Sequence, residues 1–225
     1  VVVAVVVNSV VGLNQGTTID DHMERATCPA TPALMVIDVS GHGELAGLVT
    51  QRLRSVLTVS LRSGFDPATV LRRGATLFSD QRDGRFATAL VVVLDPDSGA
   101  LTWANAGHPT GWLLAEGDPA QRTELSPTGP LLSALGGEWD ARACTLGEGD
   151  LMLAWSDGLV EAPGTGAEIS QAALERAVGR ALEPPEGRGP VPVGDLVESV
   201  LADLRQDAAD WRRDDVTLVA VRRRS

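Results

Sequence analysis

The sequence predicts an α+β fold, a four-layer α-β-β-α sandwich in which two mainly antiparallel sheets are flanked by helices. Three observations carry this. Apolar strand-like runs cluster in the middle of the chain, helix-like runs fall into two groups, and the two kinds do not alternate as βαβ units would. The 225 residues are 44% hydrophobic and 22% charged, the composition of a folded protein with its own core, and a single domain over residues 1–225 is expected. A chain of this length buries roughly 70% of the surface it exposes when unfolded, so it needs neither disulfides nor a structural metal. Any metal would serve chemistry.

Residues 1–13 are Val-rich with Asn8, Ser9 and Gly12 as punctuation, and Ala33-Leu-Met-Val-Ile37 is a second short apolar run; both read as strands. From Glu44 to about Arg62 the residues Leu45, Leu48, Val49, Leu53, Val56 and Leu57 recur at three and four, the spacing of an amphipathic helix. Asp66-Pro67 then supplies an N-cap and a first-turn Pro for a second helix running to about Ser79. Phe86–Leu94 and Ala100–Asn105 are strands joined through Asp95-Pro-Asp-Ser-Gly99, a hairpin link, and Gly111–Ala115 is expected to continue the meander. Further strands are expected at Thr123–Leu125, Ala141–Leu146, Leu151–Trp155 and Val216–Val221, with helices at Ser170–Ala181 and Val193–Leu204. Glu183–Gly194, rich in Pro and Gly, reads as a surface loop.

Asp and Glu outnumber the basic residues 30 to 19, for a formal charge of −11. That balance argues against nucleic acid or an anionic membrane as partner, but not against a phosphorylated protein if cations bridge the two. Cys28 and Cys144 match no metal spacing or redox pair and read as unpaired thiols of a reducing, cytoplasmic compartment. The apolar run Val1–Val7 is far shorter than the roughly 20 residues a spanning helix requires and lacks a basic leader. Because the chain opens without Met, we expect a fragment or a processed chain, which leaves room for a sensor or membrane region upstream.

Three acidic positions share one context. Asp38 directly follows Ala33-Leu-Met-Val-Ile37, Asp157 follows Leu151-Met-Leu-Ala-Trp-Ser156, and Asp214 and Asp215 directly precede Val216-Thr-Leu-Val-Ala-Val221. A carboxylate at the mouth of a buried strand is costly unless paired or bound to a cation. If the strands are neighbours, the carboxylates converge, and an all-oxygen cluster suits Mg²⁺ or Mn²⁺ rather than Zn²⁺. Alternatively, each acid caps its own strand and faces water. Gly-rich turns accompany the acids, as in Ser40-Gly-His-Gly43, and tight backbone lets a carbonyl oxygen reach a cation. His42 and His108 are candidate acids, bases or ligands, or hydrogen-bonded structural residues. There is no G-x-S-x-G elbow, no Walker loop and no G-x-G-x-x-G.

Five blocks in register make the chain recognisable. They are Ile37-Asp-Val-Ser-Gly-His-Gly43, Phe86-Ala-Thr-Ala-Leu90, Trp103-Ala-Asn-Ala-Gly-His-Pro109, Gly149-Asp-Leu-Met-Leu-Ala-Trp-Ser-Asp-Gly-Leu-Val-Glu-Ala162 and Arg213-Asp-Asp-Val-Thr-Leu218. Together they resemble the SpoIIE-like branch of the type 2C metal-dependent protein serine/threonine phosphatases, from about residue 20 to 222. The resemblance implies that Asp38 bridges two cations, Mn²⁺ or Mg²⁺, that the Val39 carbonyl binds one of them, and that Asp157 and Asp214 complete the cluster. A further ligand comes in that family from a Gly-Gly-Asp segment upstream. Here the stretch is Thr18-Ile-Asp-Asp-His-Met-Glu24, without the glycines; counting places Asp20 there and the following residues favour Asp21, which we prefer, with Glu24 as second acid. Eukaryotic relatives place a His general acid two residues after the bridging Asp. This chain has Ser40, which leaves His42 as the substitute candidate. The Asn105–His108 block marks the family, with a structural role.

The mechanism implied is direct hydrolysis of phosphoserine or phosphothreonine by a water activated between two cations, with no phosphorylated enzyme. The implied substrate is a phosphorylated protein, an anti-sigma-factor antagonist. The alternative is a weak or inactive pseudophosphatase that keeps the fold as an interaction module, because of the altered Thr18–Glu24 loop. The Glu44–Arg62 helix and the Pro/Gly loop are where substrate docking or regulation is expected.

Overall fold

Alanines on two central strands set how closely helices approach one of the sheets, and that approach fixes which strand face is left for Asp38. In the structure, a computed structural model, residues 2–9, 32–41, 43–79, 84–159, 171–183, 189–207 and 216–223 are described. The order is β1 (Val2–Ser9), β2 (Ala33–Val39), α1 (Glu44–Arg62), α2 (Pro67–Ala75), β3 (Phe86–Leu94), β4 (Ala100–Ala106), β5 (Gly111–Leu114), β6 (Arg122–Leu125), β7 (Leu132–Ser133), β8 (Arg142–Thr145), β9 (Leu151–Trp155), α3 (Gln171–Leu182), α4 (Val193–Asp207) and β10 (Val216–Arg223). No described helix is long and apolar enough to cross a membrane. The α+β class holds: two mainly antiparallel sheets and four helices among the described residues.

The chain divides into two compact units. One holds the sheet β2-β3-β4-β8, with β7 also on β3, and helices α1 and α2. Ala87, Ala89, Ala104 and Ala106 face the helices and leave room for Leu53, Leu57 and Leu61 of α1 and Leu71 of α2, all buried. Asp66 caps α2, accepting from the N–H of Ala68 at 3.0 Å and of Thr69 at 3.1 Å, ahead of Pro67. The helix ends at Ala75, short of the expected Ser79, because Leu77 and Phe78 donate to Gly74 and Ala75 in tighter three-residue turns. The β3–β4 hairpin closes as expected on Asp95, whose carboxylate accepts from Asp97 N–H at 3.0 Å and Ser98 Oγ at 2.7 Å.

The other unit holds the sheet β1-β10-β9-β5-β6 with α3 and α4. Trp112, Leu153, Trp155 and Leu218 form its core with Leu174 and Val178 of α3 and Leu196 and Val200 of α4. The Trp112 and Trp155 rings meet edge to face, 4.7 Å between centroids. β5 does not continue the meander: Trp112, Leu113 and Leu114 pair with Leu153, Met152 and Leu151 of β9. The turn after β4, described below, ends that strand, and four wholly buried residues in β5 require a central position that β9 supplies.

Candidate active site

Alternation along β2 decides where Asp38 points. Ala33, Met35, Ile37 and Val39 pack toward α1 and α2, so Asp38 lies on the opposite face, half-buried. Its cross-strand partner is Thr88 of β3, whose Oγ1 is 2.8 Å from Nδ1 of the buried His108. Hydrogen bonds at Leu94 N–H to Pro32 O and Ser40 N–H to Phe86 O, both 2.9 Å, show that the even-numbered residues of β2 carry the ladder. Val39 is opposite Ala87 in a non-hydrogen-bonded pair, and among the described residues β2 is an edge strand. The Val39 carbonyl therefore points off the sheet.

The chain leaves β2 through Ser40. Its N–H donates to Phe86 O, and Phe86 N–H returns a bond not to the Ser40 carbonyl but to Ser40 Oγ, at 3.0 Å. Gly41 and Gly43 follow with φ of 95° and 86°, a left-handed turn that side chains rarely adopt. Gly43 opens α1 without a side-chain cap.

The end of β9 is built the same way. Ser156 N–H donates to Thr217 O at 3.0 Å, and Thr217 N–H donates to Ser156 Oγ at 2.9 Å. Asp157, half-buried, begins a 3₁₀ turn to Leu159. Leu159 N–H closes that turn on Ser156 O at 3.1 Å, and the Leu159 side chain is wholly buried against α3 and α4.

The Asn105–His108 turn is structural, as expected. Asn105 is wholly buried; Oδ1 accepts His108 N–H at 2.7 Å, and Nδ2 donates to the carbonyls of His108 at 3.1 Å and Leu125 at 3.0 Å. Gly107 has φ 64°, and a Cβ there would stand 3.2 Å from Leu131 Cβ and N. Only glycine fits.

Asp20, Asp21, Glu24, His42, Asp214 and Asp215 lie outside the described residues. Among the described residues no three His, Cys, Asp or Glu side chains group as a metal site. The described part of the expected set is Asp38, the Val39 carbonyl and Asp157. These are all hard oxygen donors, which fit Mg²⁺ or Mn²⁺. Sequence reading did not foresee the roles of Ser40, Thr88 and Ser156. The available signal was a serine within two residues of Asp38 and of Asp157.

Comparison with known proteins agrees with this reading of the fold. The chain matches the family described as Stage II sporulation protein E (SpoIIE) over residues 29–224. It is 24% identical over 195 residues to the phosphoserine phosphatase RsbP of Bacillus subtilis, covering 84% of this chain and 45% of that protein, so it spans about half the length of the curated relative. A solved structure of RsbU and RsbW domains from Mycobacterium tuberculosis shares 31% identity at a TM-score of 0.68, covering 87% of this chain and 52% of that one. The type 2C phosphatase domain of SpoIIE from Bacillus subtilis, solved with a fragment of its regulatory domain, superposes at a TM-score of 0.77 with 16% identity, covering 99% and 62%. Other structures of this fold, 17% and 15% identical, were solved with magnesium and with two manganese ions.

Proposed function

Since the chain belongs to the SpoIIE family, we propose that it is a single phosphatase domain over residues 1–225 that hydrolyses phosphoserine and phosphothreonine esters of a protein substrate. The observation that carries this reading is the family match itself, running over residues 29–224 and so spanning the strand-end acids Asp38, Asp157 and Asp214. Asp38, Asp157 and Asp214, with Asp21 or Asp20 and the Val39 carbonyl, would hold two cations, Mn²⁺ or Mg²⁺. Bound there, such ions would bring the pKa of a water toward neutrality and offset the charge of the phosphoryl oxygens.

The chain's own residues have three tasks in this reaction. Asp38 presents its carboxylate from a strand whose register is held by seven paired residues, so its position survives the loss of solvent on phosphate binding. Asp157 presents its carboxylate from a turn anchored by Leu159. His42 is the candidate proton donor to the leaving serine or threonine oxygen, since Ser40, which stands two residues after Asp38, carries a hydroxyl that is too weak an acid for that task near neutral pH. The acidic protein, at −11, would repel a phosphate dianion without bound cations, so turnover requires them.

The substrate we propose is a phosphorylated anti-sigma-factor antagonist. The printed names of the relatives support it: one is a phosphoserine phosphatase, and another carries RsbU and RsbW domains in one chain. The test is phosphate release from such a phosphoprotein, and from p-nitrophenyl phosphate, with and without Mn²⁺. Mn²⁺-dependent release that disappears in Asp38→Asn is expected; release that persists in Asp38→Asn, or none from the wild-type chain, would overturn the assignment.

A further inference from the structure

We propose that Ser40 and Ser156 are positioning residues for the acids beside them, each hydroxyl ending its β-ladder at a fixed residue so that the chain leaves the sheet with Asp38 or Asp157 held in place. This deepens the phosphatase reading and rests on it.

In an antiparallel ladder, a hydrogen-bonded pair exchanges two main-chain bonds. The pairs Ser40:Phe86 and Ser156:Thr217 show one such main-chain bond and one bond to the serine hydroxyl. In each, the serine N–H donates to the neighbour's carbonyl, at 2.9 and 3.0 Å, and the neighbour's N–H donates to the serine Oγ, at 3.0 and 2.9 Å. Two sheets thus end with the same two-bond ring. The hydroxyl satisfies the neighbour's N–H, which would otherwise be lost from the ladder, and the serine carbonyl is released.

What the released carbonyl does is visible at Ser156. It accepts from Leu159 N–H at 3.1 Å and closes the turn that begins at Asp157. The carbonyl has two lone pairs, but here it serves Leu159 while Thr217 N–H goes to the hydroxyl. Removing the hydroxyl turns Thr217 N–H back toward that carbonyl, and recapture by the ladder would draw residue 157 into the strand. At Ser40 the chain passes directly into the left-handed Gly41. Recapture there would extend β2 by one rung and swing the Val39–Gly41 segment, two residues from Asp38. Neither serine oxygen is needed for the hydrophobic cores, so the effect falls on the acids rather than on the fold.

The test uses the full chain as wild type, Ser40→Ala, Ser40→Thr, Ser156→Ala and Ser156→Thr. Mn²⁺ affinity is read by calorimetry, amide exchange at Phe86 and Thr217 by NMR, folding by circular dichroism, and kcat and KM on a phosphoserine protein. Each Ala variant is expected to fold, to bind Mn²⁺ about 10- to 100-fold more weakly, as loss of a partner behind a metal ligand does, and to lose kcat more than KM. Exchange should rise about tenfold at Phe86 in Ser40→Ala and at Thr217 in Ser156→Ala, the value of one lost hydrogen bond. The Thr variants keep the hydroxyl and should restore wild-type affinity. Ser156 is buried; should Ser156→Ala misfold, the half-buried Ser40 pair decides alone. Ala variants with wild-type Mn²⁺ affinity, or Thr variants that fail to restore it, would overturn the positioning role and leave the phosphatase reading standing. A wild-type chain that neither binds Mn²⁺ nor releases phosphate would overturn both.

Discussion

At the end of β9 the carbonyl that Ser156 frees is reused within three residues, by Leu159 N–H at 3.1 Å, whereas at the end of β2 the chain runs through two left-handed glycines before α1 begins. Asp157 therefore sits in a turn with its own hydrogen bond and a buried Leu159 as anchor. Asp38 sits inside the strand, opposite Thr88, and takes its position from the sheet. The difference teaches that one carboxylate is held by long-range register and the other by local closure. A register shift would turn Asp38 to the helix face, while Asp157 depends on a three-residue segment.

The strongest way to break this comparison is to remove each acid. Asp38→Asn and Asp157→Asn should each lower Mn²⁺-dependent kcat/KM by about a thousandfold, about 4 kcal/mol of transition-state stabilisation, with circular dichroism unchanged. Steady-state kinetics on a phosphoserine protein checks it. An Asp157→Asn enzyme of near wild-type rate would mean that only the register-held acid works.

The next effect falls on a third turn, whose closure uses a side chain throughout. Asn105 supplies three hydrogen bonds from a wholly buried position. Asn105→Ala strands His108 N–H and two carbonyls and should cost about 3 kcal/mol, read as the urea midpoint. Gly107→Ala adds a Cβ at φ 64° against Leu131 and should cost about 2 kcal/mol. If the chain is one domain, both variants should move a single transition detected by every probe. A transition confined to one unit would show that the two fold separately.

Much of this is legible in the amino-acid sequence. Helix α1 begins and ends where its three-and-four spacing does, and the Asp95–Gly99 link closes the hairpin it predicts. Local chemistry sufficed in both cases. It failed for β5, whose strand character is clear in Gly-Trp-Leu-Leu but whose sheet is decided by pairing with β9, nearly forty residues on. It failed also for β7, because two residues carry no periodicity. For the site, the strand-end context of Asp38 and Asp157 was readable because each follows an uninterrupted apolar run. The serine rings were not. Their partners stand 46 and 61 residues away in the chain, and a serine near a histidine suggests a nucleophile before it suggests a substitute for a carbonyl.

The smallest effect separates two helix starts in one unit. Helix α1, which follows the Asp38 loop, opens on Gly43 with no side-chain cap, while α2 opens on Asp66 with its carboxylate accepting from Ala68 N–H, Thr69 N–H and Thr69 Oγ1. Burial pushes the Asp66 carboxyl up, but these hydrogen bonds and the Arg72 charge outweigh it and hold it below the ordinary carboxylate range. A carboxyl depressed on folding stabilises the native state above its unfolded pKa, and that contribution fades as pH falls through the folded value. Asp66→Ala should thus cost about 1 kcal/mol at neutral pH, with the gap to wild type closing below the ordinary carboxylate range. Asp66→Asn keeps an acceptor oxygen and should remove most of the pH dependence at little cost. Urea midpoints of the three proteins across acid pH check this, and a gap that stays constant with pH would place the stabilisation in the shape of the side chain rather than its charge. Since α1 has no side-chain cap, its start should show no comparable acid sensitivity, and the described part of the segment after Asp38 rests on Ser40 and the two glycines.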